Sequence, residues 1–207
     1  MFIVLEGTEA SGKSTQVRLL GAWLNARGLP HILTREPGGT SVGEEIRAIL
    51  LHGDHIPAET ELLLMNAARA VFVAEIVRPA LEAGKIVVAD RFSLSSLAYQ
   101  GYGRGLPLED VRRICGFAAQ GVEPDLTIVL DVPLEISESR RTGRGADRIE
   151  RAGTEFHNRV AEAYRLLPRT ESNVVLLSGI EEPQAVHDRI LGLLQTRFPE
   201  TFSGIAG

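Results

Sequence analysis

Gly7-Thr8-Glu9-Ala10-Ser11-Gly12-Lys13-Ser14 satisfies the pattern GxxxxGK[ST], and the chemistry such a run can perform is phosphate binding. Glycines let successive backbone N–H groups turn toward one point, the following helix adds its positive end, and Lys13 supplies a mobile charge for the β- and γ-phosphates. The Ser14 hydroxyl is suited to Mg²⁺. All eight residues are therefore candidate nucleotide ligands. The flanks agree with this reading: Phe2-Ile3-Val4-Leu5 reads as a buried strand, and the segment from about Ser14 to Ala26 carries Val17, Leu20 and Leu24 on one helical face and ends at Gly28.

A second group of charges lies downstream. Asp90-Arg91 follows the apolar run Ile86 to Ala89, at the strand end where open α/β sheets bind ligands. There Arg91 can pair bidentately with a phosphate, while Asp90 can approach Mg²⁺ through water or orient the arginine. An isolated Asp-Arg pair could also be a structural ion pair, the lesser of the two readings, but further arginines stand in comparable places. Arg35-Glu36-Pro37-Gly38-Gly39 follows the second apolar run, Arg69 lies in a helical segment, and Ser96 to Arg104 reads SLAYQGYGR. Arg140, Arg141, Arg144, Arg148 and Arg151 crowd a glycine-containing stretch with Asp147 and Glu150. Like charges this dense repel, so an anionic partner would relieve them; local Glu/Arg pairs on a solvated helix end are the alternative.

The elements that must hold these residues alternate along the chain. Strand-type runs are Phe2 to Leu5, His31 to Thr34, Ile86 to Ala89, Leu126 to Leu130 and Val174 to Leu177. Helical periodicity covers Ser41 to Leu51, Pro57 to about Ala83, Leu108 to Ala119, Leu134 to Arg141, Thr154 to Leu167 and Glu182 to Arg197. Near-continuous apolar strands predict a parallel sheet of about five strands with helices on both faces, an α/β fold of the P-loop NTPase type. With 207 residues, 44% hydrophobic, and no Pro/Gly/Ser linker, residues 1–207 are expected to form one domain. Gly101 to Gly105 and Thr142 to Arg151 are expected to be loops or lids, and the tail Phe202 to Gly207 is expected to fray.

Composition removes several classes of function. A net charge of -5 argues against a general nucleic-acid or membrane-surface binder. The single cysteine, Cys115, excludes an internal disulfide and reads as core, so a cytoplasmic protein is expected. The N-terminus lacks the pattern of a signal peptide, and no apolar run is long enough to span a bilayer. His52 and His55 have a metal-like spacing but no further ligand nearby, which favours a solvated loop. Lys13 and Lys85 are the only lysines among 22 basic residues, so one of the two sits in the phosphate loop.

A phosphate loop leaves three readings: a switch GTPase, a motor or transport ATPase, and a small-molecule kinase. Lys85, in Gly84-Lys85-Ile86, does not form the NKxD stretch that reads guanine. Motor and transport ATPases carry larger coupled domains than this length allows. A nucleoside monophosphate kinase fits, and it requires a second, arginine-rich anion site.

The motifs FIVLEGTEASGKST, TREPGGT, AAR, DRF, AYQGYGRG, PDLTIVLDV and DRIE occur in order from Phe2 to Glu150, and together they resemble bacterial thymidylate kinases. The resemblance implies transfer of the γ-phosphate of ATP to dTMP with Mg²⁺, by a homodimer. It implies that Arg69 meets the thymine edge, Arg91 the dTMP phosphate and Glu9 the sugar 3′-hydroxyl or metal shell. Tyr99 would lie under the sugar, with Arg35, Ser96 and Gln100 completing the acceptor site. Ser14 and Asp90 would hold the metal, partly through water. Met65 stands where the family usually has a phenylalanine on the thymine, and Asp90-Arg91-Phe92 replaces the usual DRY or DRH. The phosphate loop contains no arginine, so the transition-state cation is expected in the lid at about 142–151, with Arg144 first and Arg141 and Arg148 behind it. A kinase of another monophosphate, or a silent nucleotide-binding module, remains the alternative.

Overall fold

The computed structural model describes residues 1–53, 55–140, 147–171 and 173–202. Arg141 and Arg144 lie outside the described residues. Among the described residues, strands β1 (Phe2–Glu6), β2 (His31–Arg35), β3 (Ile86–Asp90), β4 (Leu126–Asp131) and β5 (Val174–Ser178) form one sheet in the order β2-β3-β1-β4-β5. Every pairing is parallel, with Val4 beside Ala89 and Thr127. β1 is buried along its whole length, which is why Phe2 to Leu5 are apolar rather than alternating.

Helices cover both faces. Ile3, Leu5, Val88 and Ile128 pack with Leu20 and Leu24 of α1 (Lys13–Ala26). Phe2, Val4, Val87 and Ala89 point the other way, toward Phe72 at the end of α3 (Ala58–Phe72). Between these come α2 (Ser41–His52) and, beyond α3, the short α4 (Arg78–Glu82), α5 (Ser93–Ser96) and α6 (Leu108–Ala119). The chain continues through α7 (Leu134–Arg140), α8 (Thr154–Leu166), α9 (Pro183–Arg197) and α10 (Pro199–Phe202). The expected long helix ending near Ala83 is continuous but wider-wound at Val73–Val77, where the bonds run i to i+5 before α4 begins.

Two expectations need correction. Gly101 to Gly103 are not loop: Leu97–Gly103 continues α5 as a π-helical segment. A Cβ on Gly103 would stand 2.6 Å from the Phe156 ring, so glycine here lets this segment press against α8. Phe202 does not fray, because its ring is buried and stacks on Trp23 with centroids 5.6 Å apart.

Candidate active site

The sheet ends β1, β3 and β4 bring the phosphate loop, Asp90-Arg91 and Leu130 to one mouth, which opens into a cleft of about 720 Å³. The loop takes its shape from backbone that side chains resist. Gly7 has φ +139°, and a Cβ there would lie 2.6 Å from the Leu130 carbonyl oxygen, so only glycine lets β1 turn so close beneath β4. Gly12, at φ +98°, opens α1. Lys13 folds back over the loop, its Nζ donating to the carbonyls of Thr8 at 2.7 Å and Gly7 at 3.2 Å. Burial holds the Lys13 ammonium below its ordinary pKa, and the nearby charge of Arg91 adds to that push.

Arg91, which shares the Gly7 carbonyl with Lys13, has a left-handed backbone, φ +77°, a conformation that costs a non-glycine residue about 1–3 kcal/mol and persists where surrounding contacts impose it. Those contacts are numerous. Nη2 donates to Glu9 Oε1 at 2.5 Å and to the Tyr99 hydroxyl at 3.0 Å. Nη1 donates to the Gly7 carbonyl at 3.1 Å, Ser95 Oγ at 3.1 Å and the Tyr164 hydroxyl at 3.0 Å. Glu9, Arg91 and Tyr99 therefore meet as one group on the cleft wall. Ser14 Oγ donates to Asp90 Oδ2 at 2.6 Å, joining the hydroxyl and carboxylate oxygens that were expected to share a metal.

Arg69, which lines the same cleft as Met65 and Ser96, is buried. Its Nε donates to Glu36 Oε2 at 2.9 Å, Nη1 to Asn66 Oδ1 at 2.8 Å and Ser96 Oγ at 3.2 Å, and Nη2 to the Phe92 carbonyl at 3.1 Å. Its guanidinium is thus already occupied by protein acceptors. Burial pushes the Glu36 carboxyl up to about 7 despite the opposing pull of Arg69. Glu36 Oε1 is buried without a hydrogen-bond partner among the described residues.

Most expected site residues converge. Thr8, Gly7 and the cleft-lining residues 9 to 14 form the loop, while Arg35, Met65, Arg69, Asp90, Arg91, Ser96, Tyr99 and Gln100 line the same cleft. Arg35, half-exposed, is paired with Glu44 at 3.0 Å. Gln100 donates to Glu61 Oε1 at 2.9 Å. Arg148 is placed differently: Nε donates to the Leu50 carbonyl at 2.8 Å, Nη2 lies 2.6 Å from buried Glu61 Oε2, and the residue is not among those lining the cleft. It has the geometry of an internal ion pair.

Sequence reasoning passed over Glu6, Tyr164 and the cleft role of Arg140. Glu6 had a visible signal, a charge ending a wholly apolar central strand directly before the loop. Arg140 lines the cleft and donates to the carbonyls of Gly179 at 3.0 Å and Ile180 at 3.1 Å. Nothing in the spacing of Tyr164 pointed to its contact with Arg91, which spans 73 residues.

A family model described as thymidylate kinase matches residues 5–190. A thymidylate kinase of Synechococcus sp. (strain JA-2-3B'a(2-13)) is 44% identical over 205 residues, covering 99% of this chain and 98% of that protein. One of Pelotomaculum thermopropionicum is 53% identical over 171 residues, covering 80% and 79%, and one of Symbiobacterium thermophilum is 44% identical over 207 residues, covering 99% and 97%.

Proposed function

This chain belongs to the thymidylate kinase family, and from that premise we propose that it transfers the γ-phosphate of ATP to dTMP, giving dTDP and ADP for dTTP synthesis. The observation that carries the reading is the pair of adjacent cation sites in one cleft: Lys13 within the phosphate loop, and Arg91 beside it with Glu9 and Tyr99, the two cations sharing the Gly7 carbonyl as acceptor. One site suits the donor triphosphate and the other an acceptor monophosphate.

Transfer is direct. An oxygen of the dTMP phosphate attacks the γ-phosphorus as the bond to the β,γ-bridging oxygen breaks, and ADP leaves with the bonding electron pair. Lys13 and the loop N–H groups orient the donor, Arg91 holds the acceptor phosphate, and both are fixed before the reaction so that little reorganisation is required. Tyr99 lies against Arg91, where a sugar joined to the bound phosphate would pack and a 2′-hydroxyl would be crowded.

Ser14 Oγ and Asp90 Oδ2 are hard oxygen donors already in contact, a set suited to Mg²⁺, which commonly takes one or two protein oxygens and completes its shell with phosphate and water. Bound there, Mg²⁺ would offset phosphate charge. A homodimer is supported by apolar side chains left outside on three helices that pack side by side, Ile49 of α2, Leu63 of α3 and Phe117 of α6, the last 88% exposed. No helix of the described residues is long and apolar enough to cross a membrane, and a cytoplasmic site of action accords with nucleotide substrates.

The reading is tested by coupled ADP release with dTMP as acceptor. Turnover dependent on both ATP and dTMP supports it, and its absence in folded protein removes it.

A further inference from the structure

Tyr164 is a buried side chain of α8, a helix that contributes no lining residue to the cleft, yet its hydroxyl touches Arg91. We propose that Tyr164 is a positioning residue for acceptor-phosphate binding, acting with Ser95 to relay the buried charge of Glu6 to the guanidinium of Arg91. The inference rests on the reading of Arg91 as the dTMP-phosphate ligand.

The geometry permits such a relay. Glu6 is fully buried; Oε1 accepts from the N–H groups of Phe92 at 2.8 Å and Ser95 at 3.0 Å, and Oε2 accepts from Ser95 Oγ at 2.6 Å and the Tyr164 hydroxyl at 2.8 Å. Its nearest approach to Arg91 is 3.9 Å, so most of the link runs through the two hydroxyls. A carboxylate can only accept, so each hydroxyl gives its one proton to Glu6 and turns its lone pairs outward. Arg91 Nη1 donates to both of those oxygens, at 3.0 and 3.1 Å. Hydroxyls polarised by an anion are stronger acceptors for a cation. The relay therefore holds the Nη1 edge, while Glu9 and Tyr99 hold Nη2.

Burial, with the adjacent Glu6 charge, pushes the Tyr164 phenol well above its ordinary pKa, which keeps it a proton donor. Its place is fixed from outside the site. α8 packs on Leu97–Gly103 through the gap left at Gly103, and the Tyr164 ring meets the Tyr99 ring edge-on at 6.3 Å. Phenylalanine at 164 would keep that ring contact and remove only the Tyr164 arm of the relay.

The test is Tyr164→Phe, assayed for the KM of dTMP, the KM of ATP and competitive inhibition by thymidine, which lacks the phosphate. The expected result is a rise of about tenfold in the KM of dTMP, typical of losing one hydrogen bond in a charged network. The KM of ATP and the thymidine inhibition constant should remain within about twofold of wild type. A dTMP KM within twofold of wild type overturns the proposal, as does an equal weakening of thymidine, which would mark a packing role. If Tyr164→Phe fails to fold, Ser95→Ala interrupts the same relay and is judged by the same criteria. Wild-type turnover of dTMP is measured first: its absence fails the kinase reading, whereas an active wild type with an unaffected variant fails the relay alone.

Discussion

The Ser14 hydroxyl donates to Oδ2 of Asp90 across 2.6 Å, tying the first turn of α1 to the end of β3. Replacing Asp90 with Asn preserves an acceptor for Ser14 and deletes the charge. The Mg²⁺ concentration giving half-maximal rate should then rise roughly ten- to a hundredfold, with little change in melting temperature. Mg²⁺ titration of initial rates measures it, and an unshifted curve would take Asp90 out of the metal's surroundings.

Lys13→Met should lower kcat by about 10²–10³. Since burial depresses the Lys13 pKa in the folded chain, the charged ammonium is held at a cost without nucleotide. The variant should accordingly melt no lower than wild type when nucleotide-free. A large drop in melting temperature would instead give Lys13 a structural role through its contacts with the loop carbonyls.

Glu36 introduces a pH dependence whose sign is fixed by its raised pKa. With the folded value at about 7 and the ordinary value near 4.5, the folded chain retains a proton that the unfolded chain releases in between. This group's contribution is complete below about pH 4.5, declines as pH rises toward 7 and is flat above it. Melting wild type and Glu36→Gln between about pH 5 and pH 8 isolates the effect: the wild-type advantage should shrink as pH rises. An advantage that stays constant across this range would mean that Arg69 keeps the carboxylate ionised throughout.

Arg148→Ala should act on stability ahead of catalysis. Removing one partner of a buried ion pair costs about 3–5 kcal/mol, somewhat less here because Arg104 and Gln100 still bond Glu61. A fall of several degrees in melting temperature with kcat within a few-fold of wild type is expected. A loss of kcat by orders of magnitude without a change in melting would return Arg148 to the reaction.

The strands and the phosphate loop were readable because their determinants are local. Continuous apolar runs such as Ile86 to Ala89 and the Gly7 to Ser14 pattern carry their own signals, and both stand where the spacing put them. Loop and helix were confused at Gly101 to Gly103, where glycine signals a turn by itself but here meets the demand of α8 for a close neighbour. Fraying was expected at Phe202 because its stacking partner, Trp23, lies far away in sequence. The same limit applied in the site. Arg91 was legible from its strand end, but its dependence on Tyr164 was not, and Arg148 could not be separated from neighbouring arginines until Glu61 stood beside it.

The central claim is that the two cation sites serve ATP and dTMP. A coupled ADP-release assay with ATP and Mg²⁺ across dTMP, dUMP, UMP, CMP, AMP and GMP tests it most directly. The account predicts that dTMP supports the dominant rate. A dominant rate with another base, or no turnover with any of them, would contradict it.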